Sequence, residues 1–220
     1  MVRSGTESGQ GLGILGGTFD PVHFGHLRPA LDVLQQLNLS QIRLVPNARP
    51  PHRDMPQATT AQRLAMLEVA VAAVPQLQVD DRECRRNTPS YMVDTLKSFR
   101  NEFPDRPLYL LVGTDAFAAL QTWHQWEHLL DYAHIVVMTR PDASPLPAVM
   151  QQWLTQYRAT GTDQQALSGR IWPVPVTQLS ISATMIREKL AQHQSVHYFL
   201  PEKVIGFIKQ AGLYQAHTHG

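Results

Sequence analysis

GILGGTFDPVHFGHLRPALDVL, from Gly13 to Leu34, sets two glycines, a Thr-Phe-Asp-Pro turn and two histidines between a short apolar strand and an amphipathic helix. Gly16 and Gly17 end the strand and let backbone N–H groups approach a phosphate with no side chain in the way. His-Phe-Gly-His (23–26) then stands at the helix entry, where unpaired N–H groups and the positive dipole end favour an anion. Glycines, a strand end and a helix start point to phosphate, while paired histidines point to a metal or to transition-state charge.

The strand-then-helix order repeats along the chain. Candidate strands are residues 12–16, 41–46, 76–80, 107–113, 134–139 and 171–176; candidate helices are 25–37, 60–74, 90–103, 115–121, 182–192 and 201–211. Such alternation predicts an α/β fold, a parallel sheet with helices on both faces, followed by a small C-terminal helical region. Ligands of such sheets collect at the carboxyl ends of the strands, where strand order reverses. Residues 140–170, Pro-rich at first and polar at the end, read as a surface excursion with one short helix.

At 220 residues and 43% hydrophobic content the chain can bury a full core, and its length suits one domain, taken as residues 12–214. Residues 1–11 are polar, lack an apolar run of signal-peptide length and are expected to be a disordered extension; residues 215–220 are expected to be a flexible tail. The run VAVAAV (69–74) falls far short of the roughly 18 residues of a membrane span. A formal charge of +1, with no Lys/Arg block, gives no footprint for duplex nucleic acid or an anionic membrane, so an anionic ligand must be met by local groups. The single cysteine, Cys84, forms no internal disulfide and fits a reducing compartment. A soluble, cytoplasmic protein without nucleic-acid or membrane partners is expected. Its oligomeric state stays open, a homo-oligomer included.

GLGILG (11–16) matches the dinucleotide pattern G-x-G-x-x-G, but that pattern must follow its strand, and here the strand lies inside it. His23 and His26, three residues apart, can share one face of a first helical turn, with Gly25 allowing them to pack closely. Zinc would need a third protein ligand, and the His-Glu-x-x-His pattern is absent. Imidazoles aimed at phosphoryl charge stabilise a transition state without any covalent step. A second phosphate candidate is SISATMIREKL (180–190): Ser182 and Thr184 mark a helix start, and Arg187 follows within about one turn. An N-cap serine followed by a solvated arginine is the plainer account of the same residues.

Together, GGTFDPVHFGH and ISATMIR resemble the paired signatures of the nucleotidyltransferase superfamily with the H-x-G-H motif. Pantetheine-phosphate adenylyltransferases look similar but usually place Thr where His23 stands, and glycerol-phosphate cytidylyltransferases carry a different second motif. VPNARPPHR (45–53), RRNTPSYMVDTL (85–96), LVGTDAFAAL (111–120) and TWHQWEHLL (122–130) resemble bacterial nicotinate-nucleotide adenylyltransferases, a likeness that runs from about Leu12 to Tyr214. The resemblance implies a Rossmann-like sheet and transfer of AMP from ATP to nicotinate mononucleotide, giving deamido-NAD and pyrophosphate with Mg²⁺ as the helper ion. It implies that His23, His26 and Arg187 act on the phosphates, and that Gly16, Gly17, Thr18, Phe19, Gly113, Asp115, Ser182 and Thr184 seat ATP. Asp115 would end the fourth strand and meet a ribose hydroxyl, or simply cap the next helix. Thr88, Tyr91 and Trp123 would form the pyridine pocket, with His52 and Arg53 near a phosphate. His124 departs from the family, whose members often carry tyrosine there. A non-catalytic nucleotide sensor and a His-ligated metallohydrolase are the competing readings.

Overall fold

The structure, a computed structural model, describes residues 10–48, 55–86, 88–139, 145–161, 163 and 166–215. Six strands run in parallel: β1 (Leu12–Gly17), β2 (Gln41–Pro46), β3 (Leu77–Val79), β4 (Leu108–Gly113), β5 (His134–Thr139) and β6 (Ile171–Pro175), in the spatial order β3-β2-β1-β4-β5-β6. The chain first moves outward from β1 to β2 and β3, then crosses back from β3 to place β4 on the other side of β1, so the order reverses between β1 and β4. Register places Leu12 beside both Gln41 of β2 and Leu108 of β4. The prolines at 173 and 175 fall in β6, an edge strand, where a missing N–H donor is tolerated.

Alternation along the strands sorts the core into two layers. Leu12 and Ile14 of β1 and Leu108, Leu110 and Val112 of β4 face one layer; Leu15, Tyr109 and Leu111 face the other. The first layer is covered by α3 (Met92–Glu102), α4 (Thr114–Ala118), α5 (Leu129–Tyr132) and α6 (Ala148–Tyr157), the second by α1 (Phe24–Gln36), α2 (Thr60–Val71), α7 (Ala183–Ala191) and α8 (Glu202–Gln210). α8 turns Val204, Ile205 and Ile208 inward and packs against α2. The expected α/β fold with both faces covered, and its C-terminal helices, is therefore present. None of the described helices is long and apolar enough to cross a membrane.

Two expectations need correction. Residues 140–170 are more than a surface excursion: α6 buries Met150 and Leu154, and the Trp153 ring stacks on Phe117 at 6.1 Å and meets Trp126 edge-on at 4.9 Å. Helical spacing of these apolar residues, diluted by Gln and Thr on the other face, is the signal that composition hid. The polar N-terminal segment also begins to be ordered earlier than expected, since the Gln10 carbonyl accepts from Arg106 Nε at 2.7 Å and the Gly11 carbonyl from the Ser40 N–H at 3.0 Å. Residues 1–9 lie outside the described residues.

Met150 is fully buried on the inward face of α6. Met150→Ala is expected to cost about 2–5 kcal/mol, on the order of 10 °C in Tm for a chain of this size, while active-site residues stay in place. A melting curve unchanged from wild type would show that α6 is peripheral to the core.

Candidate active site

The carboxyl ends of β1 and β4 part at Gly16–Gly17 and Gly113, where the strand order reverses. At Gly17 a Cβ would come within 2.9 Å of the Phe19 ring, so the turn closes directly onto that ring. Phe19 takes a left-handed backbone (φ 51°) and is only 1% exposed, its ring anchoring an uncommon conformation from below. Its side chain is thus part of the core. Thr18 accepts from the Asn47 side chain at 3.3 Å through its hydroxyl. A Cβ on Gly113 would meet nothing within 4 Å, so the end of β4 is open.

From the turn the chain enters α1 through His23, whose extended backbone ends the loop (φ −149°, ψ 170°). The His23 and His26 rings lie with centroids 3.8 Å apart and planes 30° apart. Gly25 makes this possible: a Cβ there would stand 2.8 Å from His23 Nδ1 and 3.0 Å from the Ile181 carbonyl oxygen. The His23 N–H donates to His26 Nδ1 at 3.3 Å, which leaves the neutral His26 proton on Nε2. Burial holds the His23 pKa down at about 4, and burial together with the facing His23 holds His26 well below its ordinary value. Both rings are therefore neutral at pH 7 and present N–H donors rather than positive charges.

The Ile181 carbonyl against Gly25 also means that the start of α7 abuts the start of α1. Ser182 caps α7, its hydroxyl accepting the Met185 N–H at 3.1 Å. Arg187 is not the solvated arginine of the plainer account. Its Nη1 donates to the Asp20 carbonyl at 2.7 Å and its Nη2 to Thr184 Oγ1 at 3.2 Å. Two buried polar atoms here have no hydrogen-bond partner, His23 Nδ1 and Arg187 Nε. Among the described residues no group of three His, Cys, Asp or Glu side chains is placed to hold a metal ion.

The residues expected to form the pyridine pocket lie on other elements at the same sheet end. Tyr91 precedes α3, Thr88 is exposed in the loop before it, and the Tyr91 ring packs on His124 at 4.3 Å. The departing residue thus joins the two loops. Trp123 is half-buried and rests against the core layer beneath α4, which serves packing and leaves part of the ring accessible. Asp115 does not end β4 and is not the cap: Gly113 is the N-cap, and Asp115 sits exposed in the first turn of α4. His52 and Arg53 lie outside the described residues.

Sequence reasoning did not single out three residues behind the turn. Arg63, 1% exposed, donates to the Thr18 and Asn47 carbonyls, both at 2.7 Å. Asp20, 4% exposed, accepts from the Gln57 and Ala58 N–H groups at 2.8 and 3.1 Å and from the Tyr214 hydroxyl at 2.6 Å. Arg63 did leave a signal: it occupies the position of α2 that the spacing of Met66, Leu67 and Val71 assigns to the core.

Two helix starts, a glycine turn and a neutral histidine pair thus converge at a strand-order reversal. The cytidylyltransferase-like family profile matches residues 14–189. A curated protein of Pseudomonas syringae pv. tomato named "probable nicotinate-nucleotide adenylyltransferase" is 52% identical over 213 residues, covering 93% of this chain and 94% of that one. One of the same name from Aeromonas salmonicida is 46% identical over 208 residues, covering 93% and 97%. The chain belongs to the cytidylyltransferase-like family and, within it, to the nicotinate-nucleotide adenylyltransferases. The solved nicotinic acid mononucleotide adenylyltransferase of Plasmodium falciparum, complexed with NaAD, shares the fold at a TM-score of 0.72 and 17% identity, covering 93% of this chain and 97% of that one.

His23 is 5% exposed and its pKa falls from 6.5 to about 4, so between those values the unfolded chain binds a proton that the folded protein refuses. Stability attributable to His23 is therefore intact above pH 6.5 and lost as pH falls toward 4, by about 3 kcal/mol. Urea unfolding at pH 7 and pH 4 should show His23→Asn losing that much less than wild type. Parallel losses in the two proteins would mean that His23 titrates normally.

Proposed function

We propose that this enzyme transfers the adenylyl group of ATP to nicotinate mononucleotide, forming nicotinic acid adenine dinucleotide and pyrophosphate. The observation that carries the reading is the 2.7 Å hydrogen bond from Arg187 to the Asp20 carbonyl, which joins two phosphate-type motifs 167 residues apart at one turn. A phosphate oxygen of the acceptor attacks the α-phosphorus in line, the bond from α-phosphorus to the bridging oxygen breaks, and pyrophosphate leaves with that electron pair. No protein nucleophile is required; the chain positions both substrates and stabilises charge.

In this reading His23 and His26 donate N–H groups to the ATP phosphates as charge develops, costing no proton transfer because both rings are neutral beforehand. Arg187, with the α7 start at Ser182 and Thr184, holds the departing pyrophosphate. Gly16, Gly17, Thr18, the Phe19 backbone and Gly113 line the nucleotide seat, and the exposed Asp115 meets a ribose hydroxyl. Thr88, Tyr91 and Trp123 receive the pyridine ring, and His52 and Arg53 are assigned to a substrate phosphate. A family requirement for a divalent cation is met here as Mg²⁺ on the triphosphate. The Asp20 carboxylate is already engaged by three donors, so the substrate's own oxygens supply most of the cation's ligands. The finer features of this scheme, acid over amide and Mg²⁺ as the ion, rest on the resemblance of the motifs.

Incubation with Mg-ATP and each acceptor, with pyrophosphate and dinucleotide both detected, should give a higher kcat/KM for nicotinate than for nicotinamide mononucleotide. Equal values would remove the acid preference, and turnover of phosphopantetheine alone would remove the assignment. His26→Ala should lower kcat by roughly 10²-fold with folding intact, the scale for losing one preorganised donor. Activity that declines only in step with Tm would make His26 structural.

A further inference from the structure

The last described turn of the chain reaches the back of the phosphate site. After α8, Gly212 takes a left-handed backbone (φ 61°), Leu213 donates its N–H to the Ile208 carbonyl at 3.1 Å, and Tyr214 (φ 60°) turns inward. Tyr214 is 7% exposed, and its hydroxyl donates to Asp20 Oδ1 at 2.6 Å. Asp20 in turn offers its backbone carbonyl to Arg187 Nη1, and its carboxylate Oδ2 lies 4.0 Å from the same atom. A single residue thus carries the Tyr214 hydroxyl on its side chain and the Arg187 fork on its main chain.

We propose that Tyr214 and Asp20 are positioning residues for Arg187. The alternatives open to the Arg187 guanidinium are many, because a long, partly exposed side chain keeps most of its rotamers unless it is tethered. The Asp20 carbonyl removes that freedom only if Asp20 is itself immobile. Its carboxylate is immobilised by two amides of the loop before α2 and by the Tyr214 hydroxyl, the one side-chain donor among them. The burial of Tyr214 raises the pKa of its hydroxyl, as does the facing Asp20 carboxylate, so the hydroxyl stays a donor throughout the neutral range. The carboxylate nearby also balances the guanidinium charge before substrate arrives. Deleting the hydroxyl releases Asp20, and the Arg187 fork then drifts from the oxygens of the departing pyrophosphate.

This inference rests on Arg187 contacting the leaving group, and the test separates the two. Tyr214→Phe keeps the ring and removes the hydroxyl. Expected are a kcat lower by roughly tenfold, a raised KM for pyrophosphate in the reverse direction, and an unchanged KM for the pyridine nucleotide. Arg187→Lys and the double variant complete a cycle: because Tyr214 acts through Arg187, its removal should change kcat by less than about twofold in the Arg187→Lys background. A fully additive double variant, or a Tyr214→Phe enzyme with wild-type kcat, overturns the role of Tyr214. Wild-type activity in Arg187→Lys and in Arg187→Ala overturns the leaving-group contact itself. All rates are taken below the melting transition of each variant and per titrated active site, so a lowered Tm does not imitate the effect. A kcat loss that disappears after this correction makes Tyr214 structural only.

Discussion

The turn after β1 holds its conformation through the buried Arg63 guanidinium, which satisfies carbonyl oxygens that water does not reach. It donates to the Thr18 carbonyl on that turn and to the Asn47 carbonyl at the end of β2. A buried cation without partners would be prohibitively costly, and two carbonyls left without donors nearly as unfavourable, so each satisfies the other. The Asn47 N–H donates to the Gly17 carbonyl at 3.0 Å from the same side. With its acceptors occupied from behind, the turn keeps one orientation, and α1, which follows it, enters at one angle.

Everything in front of the turn inherits that orientation. The His23 and His26 rings come close, with tilted planes, because Gly25 has no side chain, and they are neutral because they are buried, so they sit side by side without repelling each other. Positive charge is supplied instead by Arg187, tethered through Asp20. This division suits the triphosphate site proposed for a chain of formal charge +1, since the attraction is local and directional rather than a broad basic surface.

The loop before α3 is organised by a separate polar anchor. Glu83, buried and with its carboxyl pushed up by that burial, accepts from Thr95 Oγ1 of α3 at 2.6 Å. Ser90 accepts the Ala48 N–H at 3.1 Å, tying the loop before α3 to the loop after β2. Tyr91 on that loop packs against His124, so the loop before α3 and the segment after α4 are joined by a ring contact rather than by a continuous strand or helix. One network thus holds the turn after β1 and the other the loop before α3, and the two meet at the neighbouring residues Asn47 and Ala48 after β2.

The alternation of strand and helix, the glycine turn, the histidine spacing and the capped start of α7 were all legible in the sequence, because each is a local pattern with its own propensity. Even the two signatures could be read separately as phosphate-type helix starts. What local pattern does not contain is adjacency. That Ile181 would lie on Gly25, that Arg187 would grip Asp20 rather than water, and that Tyr214 would close the back of the site depend on contacts between residues far apart in sequence. Arg63 shows the same limit: its position in the apolar stripe of α2 is visible in the sequence, but which carbonyls it satisfies is decided only when β1 and β2 pair. Asp115 and α6 were misread for a related reason, since a cap and a buried helix face are defined by backbone geometry and by neighbours from other elements, which only the packed chain supplies.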